Sequence, residues 1–143
     1  MSRHRARIAA LETLYQLDSR PLDDVDGMMI ESICAESLRR HGVDGDESVD
    51  FGRALVRGSW ENRREMDRII SDLSRGWALH RIGRLERAIM RMALQEMRHM
   101  DIPPSVAINE AVELTKRYVS ERAASFVNGI LGSTIVSERV EEE

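Results

Sequence analysis

One cysteine, Cys34, stands in the whole chain, which excludes a disulfide framework and any multi-cysteine zinc site. Proline occurs three times, at 21, 103 and 104, and aromatics make up 4% of residues, too few for the β-branched and aromatic runs of an all-β fold. No apolar run approaches the ~18 residues of a membrane span. The opening MSRHRARIAA carries arginines without an apolar core, so it does not read as a secretory signal. A glycine-rich phosphate loop is missing, and the lone lysine, Lys116, lies in no such motif. The histidines at 4, 41, 80 and 99 have no metal-ligand spacing, so no metal and no cofactor is expected. Cys34, on a helix with Met and Ile, reads as a buried, inert thiol. These absences leave a soluble cytoplasmic protein of 143 residues that binds rather than catalyses, with length enough for a real core.

Charge is present but uneven. The net −4 divides into segments of opposite sign. Residues 1–17 hold three arginines against one glutamate, a net +2, and residues 18–50 hold three arginines against ten acids, a net −7. Residues 51–100 hold eleven arginines against six acids, a net +5, and the remainder holds four bases against eight acids, a net −4. An acidic total does not forbid a nucleic-acid partner, because local patches set the local field.

The apolar periodicity is helical throughout. A first helix spans 4–18, with Ala6, Ala10, Leu14 and Leu17 on one side and Leu11 and Tyr15 beside them; Asp18 to Pro21 ends it. A looser pattern at 25–40 uses Val25, Met28, Met29, Ile33 and Leu38, and Gly42 and Gly45 mark the turn that follows. A third helix, 47–59, turns Val49, Gly52, Leu55 and Val56 inward. A fourth carries Met66, Ile69, Ile70, Leu73 and Trp77, with a stop at Arg75–Gly76. Then come a stripe of Ile82, Leu85, Ile89, Met92, Ala93 and Met97, a break at Pro103–Pro104, and a helix capped by Ser105 with Ile108, Ala111, Val112, Thr115 and Val119 inward. The last helix presents Ala123, Phe126, Val127, Ile130, Leu131, Thr134 and Ile135, and its Gly129 and Gly132 are expected to let another helix approach closely. The fold class is all-α with about seven helices, the change of lobe falling near residues 76–83.

Arg3, Arg5 and Arg7, with His4, precede or open the first helix as a basic arm that can neutralise phosphates and stack on bases. Tyr15 and Phe126 could each offer a ring to an unstacked base, although aromatics on apolar helical faces are usually core. LERAIMRMALQEM (85–97), DIPPSVAINEAVELTKRYV (101–119) and SFVNGIL (125–131), preceded by Arg5-Ala6-Arg7, Leu14-Tyr15 and Trp77, resemble the NusB family of bacterial transcription antitermination factors along nearly the whole chain.

The resemblance implies two three-helix bundles packed roughly perpendicular, here about 1–76 and 77–143. It implies no catalysis. It implies binding to the boxA element of ribosomal RNA transcripts, with NusE, a small-subunit ribosomal protein, as partner. The pair would join other Nus factors and RNA polymerase, and a homodimer is left open. By the resemblance, Arg3, Arg5, Arg7, Tyr15 and Phe126 are RNA contacts. Glu86, with its helical neighbours Arg87 and Met90, faces NusE, the carboxylate pointing toward solvent with no cation one turn away in its own helix. Arg122 stands where some members carry an acidic RNA contact; its positive charge should strengthen phosphate attraction. Ala123 and Ala124 replace polar residues of some relatives. Two other readings stay open: the RNA-binding lobe of a ribosomal RNA methyltransferase, and a helical adaptor that binds protein alone.

Overall fold

The computed structural model describes residues 2–74 and 81–142, with side chains through Ile135. Its seven α-helices are α1 (Ser2–Asp18), α2 (Gly27–Arg40), α3 (Asp46–Glu61), α4 (Arg63–Leu73), α5 (Arg84–His99), α6 (Pro104–Tyr118) and α7 (Glu121–Glu142), with a short 3-10 turn at Leu22–Asp24. No strand occurs among the described residues, and no helix among them is long and apolar enough to cross a membrane. The chain forms two compact units, Met1–Glu61 and Asn62–Glu143. The division therefore follows Glu61 and not residues 76–83, because α4 packs against α5 and α7. The expected stop at Arg75–Gly76 and Trp77 lie outside the described residues.

In the first unit α1 packs against α2 and α3, which also pack against each other. Ala6, Ala10, Leu11, Leu14 and Leu17 are buried as expected, and so are Arg7, Ala9 and Thr13. The Thr13 and Ser37 hydroxyls both donate to the Ala9 carbonyl, at 2.9 and 3.1 Å, so these buried polar groups are satisfied. Asp26 caps α2 by accepting the Met29 N–H at 2.8 Å. The helix buries Cys34, Ser37 and Leu38. Met28, nine residues before Ser37 and so about half a turn round, is 83% exposed, against its expected inward place. Burial pushes the Cys34 thiol up to about 11, with nearby Glu31 adding to the rise, so it stays protonated and inert. Gly42, with φ of +67°, ends α2 in a left-handed turn that a β-carbon would strain.

In the second unit α5 touches α4, α6 and α7 and is buried on every side from Ala88 to Glu96. Met66 and Ile70 of α4 are fully buried. Arg91 of α5 forks onto Asp67 of α4, Nε to Oδ1 at 2.6 Å and Nη2 to Oδ2 at 2.7 Å. Glu65 receives the His99 Nε2–H at 2.9 Å, which holds its carboxyl below the usual range. Pro103 takes the cap position of α6 and Pro104 its first turn, so Ser105 is not the cap. The helix buries Ala107, Ala111, Leu114 and Thr115, while Ile108 and Val112 are half-buried and Val119 is exposed. Small residues thus face α5 and α7, and the expected stripe is rotated by about one residue.

Gly129 and Gly132 correct another expectation. A β-carbon at either meets nothing within 4 Å, so no helix approaches closely there. Gly129→Ala and Gly132→Ala are each expected to stabilise the chain by about 1 kcal/mol through helix propensity. Urea unfolding checks this; a loss in either variant would mean the site is crowded.

Candidate nucleic-acid interface

Arg3, Arg5 and Arg7 lie inside α1, not in an arm preceding it. Helical geometry turns residues two apart by about 200°, so the three cannot share a face. Arg3 and Arg7, one turn apart, lie over the ring of Phe51 in α3, their guanidinium carbons 4.5 and 5.0 Å from its centroid. Arg3 remains exposed, and its Nε donates to Glu47 at 2.8 Å. Arg7 is buried, at 4% exposure, so its charge serves the α1–α3 packing and a phosphate has no path to it. Arg5 turns the other way, exposed, with Nη1 3.5 Å from the Gly42 carbonyl. Tyr15 is exposed as well. It lies about 15 Å along α1 from Arg5 and about 80° round the axis. Glu12, between them, is tied to Arg40 and His41.

The second unit gathers more. Arg122 and Phe126 stand one turn apart on α7, the guanidinium exposed and the ring half-buried. They border a cleft of about 470 Å³ closed by Arg81, Ile82, Gly83 and Glu86 at the start of α5 and by Val119 and Ser120 between α6 and α7. Ser120 caps α7, its hydroxyl accepting the Ala123 N–H at 3.0 Å. The Glu86 carboxylate folds back over Gly83 and occupies the space a β-carbon there would fill.

Glu86 is therefore not turned outward from α5. It is half-buried and shares the cleft with Arg122 and Phe126. Arg87 is half-buried, and Met90 is fully buried at 0% exposure. Met90 cannot line a partner surface on this structure, because α5 is packed round its whole circumference there. Two basic features escaped the sequence reading. Arg81 lines the cleft, and Arg117 lies 5.3 Å over the exposed ring of Tyr118 at the end of α6. An arginine next to an aromatic in a last helical turn was the available signal; the apolar stripe of α6 obscured it.

The sequence matches the family model described as the NusB family over residues 4–135. The chain belongs to the NusB family. It is 44% identical over 138 residues to the transcription antitermination protein NusB of Symbiobacterium thermophilum, with 94% of this chain and 90% of that one covered. To the NusB of Carboxydothermus hydrogenoformans it is 39% identical over 143 residues, covering 99% and 96%. Among solved structures, T. maritima NusB superposes with a TM-score of 0.79 at 35% identity, covering 92% of this chain and 88% of that one. A chain of the crystal structure of the antitermination factors NusB and NusE in complex with double-stranded RNA gives a TM-score of 0.79 at 25% identity, covering 92% and 94%. The all-α, seven-helix arrangement is thus the NusB fold. The likeness extends over most of each antitermination protein.

Proposed function

We propose that this chain is a transcription antitermination factor that acts by binding RNA and protein in the cytoplasm, without catalysis. The observation that carries this is the cleft of the second unit, where a guanidinium and a half-buried ring stand one turn apart in a NusB-family chain. A ring that stacks on an unstacked base beside a cation for its phosphate is the usual chemistry of single-stranded RNA recognition. The RNA is the boxA element of ribosomal RNA transcripts. The protein partner is NusE, and the pair works with other Nus factors on RNA polymerase.

A basic ribosomal protein needs an acidic surface. Residues 18–50, at a net −7, supply one, with Asp23, Asp24, Asp44 and Asp50 exposed. The resemblance gives Glu86 to NusE as well. Calorimetry of Glu86→Lys against NusE tests that contact; full affinity in a folded variant leaves the partner to residues 18–50. A gel-shift assay with boxA RNA, with and without NusE, tests the main reading. Absence of RNA binding in both would leave a protein-only adaptor.

The α1 arginines should separate by burial. Arg3→Ala and Arg5→Ala are each expected to lower the log–log salt slope of boxA binding by about 0.7, one phosphate contact each. Arg7→Ala is expected to leave the slope unchanged and to lower the melting temperature. An Arg7→Ala variant with a flattened slope and unaltered melting would restore Arg7 to the RNA surface.

A further inference from the structure

We infer that Glu86 reads a nucleobase: the cleft it shares with Phe126 and Arg122 takes an unstacked guanine, whose N1–H and N2–H donate to the two Glu86 carboxylate oxygens. The inference rests on the RNA-binding reading and names what that site selects. The cleft, at about 470 Å³, has the size of a small-molecule pocket. The Phe126 ring and the side chains of Ile82 and Val119 give it apolar walls, and Arg81 and Arg122 supply two positive charges for flanking phosphates.

Glu86 is the one carboxylate among the described lining residues. Beside a polyanion it repels unless it receives donors. Phosphates have none. Ionised carboxylate is acceptor-only, and its two oxygens match a pair of parallel donors. Of the four bases, guanine alone presents two adjacent N–H donors on its Watson–Crick edge. Adenine and cytosine offer one exocyclic amine beside an acceptor, and uracil offers one N–H between two carbonyls. The carboxylate lies folded back over Gly83, in the space that a side chain there would take.

The test uses the full chain and boxA RNA with its guanines replaced one at a time by inosine, which lacks the N2 amine. Inosine keeps N1–H and removes one of the two bonds, so at one position the unaltered chain should lose about tenfold in affinity, toward the low end of what a bidentate pair discriminates. Glu86→Gln, which keeps one acceptor oxygen, should bind the guanine RNA more weakly, shrink the guanine–inosine difference at that position and keep its melting temperature. If RNA binds but no position distinguishes guanine from inosine, the inference fails while the RNA reading stands. It fails equally if Glu86→Gln discriminates as before, or if that variant loses NusE and not RNA. Absence of RNA binding in the unaltered chain, with and without NusE, removes the RNA reading and the inference with it.

Discussion

Asp67→Ala is expected to destabilise the second unit by about 3 kcal/mol, the low end of the cost of stripping one partner from a buried ion pair. The fork from Arg91 is bidentate, at 2.6 and 2.7 Å, and its side chains are 11% and 22% exposed. Removing the carboxylate leaves a guanidinium between α4 and α5 that water reaches poorly. For a chain of this size the melting temperature should fall by roughly 10 °C. Asp67→Leu combined with Arg91→Met should recover most of the loss, because an apolar pair of similar volume carries no desolvation penalty. Hydrogen exchange should place the added opening in α4 and α5 rather than in α1 to α3. A loss below about 1 kcal/mol would mean the pair behaves as an exposed one.

That fork shows where the sequence falls silent. Asp67 and Arg91 lie 24 residues apart, each an ordinary charged position on an amphipathic helix. What makes them a pair is the packing of α4 on α5, which no local pattern states. The division after Glu61 has the same cause. Gly76 and Gly83 look like punctuation, yet Met66 and Ile70 are buried in a helix that packs on α5 and α7. Local signals were reliable where backbone chemistry alone decides, as at Gly42 and Gly45 with their positive φ and at Pro103–Pro104 before α6.

The candidate site was legible by residue type and less so by place. Aromatics are so few that an exposed Tyr15 and a half-buried Phe126 stand out from the sequence. Arg3, Arg5 and Arg7 are one chemistry in one run, and nothing local distinguishes them. Arg7 is removed from solvent because α3 brings Phe51 beneath it, a contact 44 residues distant in the chain. Glu86 needed both the turn before α7 and the missing β-carbon of Gly83 to be placed.

Met90→Ala is expected to destabilise the chain by roughly 3 kcal/mol, within the range for truncating a fully buried methionine. Its side chain is 0% exposed, on the stretch of α5 that α4, α6 and α7 enclose. Truncation removes apolar contacts on every side and leaves a cavity that three packed helices close incompletely. Met90→Leu, which keeps the volume, should cost less than about 1.5 kcal/mol. The consequence for function is indirect. Assayed near its lowered transition, Met90→Ala would bind NusE weakly because part of it is unfolded, and this would imitate the loss of an interface residue. Calorimetry well below the transition separates the two, since the folded variant should then keep full NusE affinity. Normal urea stability together with lost affinity would place Met90 at the partner surface, and α5 would have to open to present it.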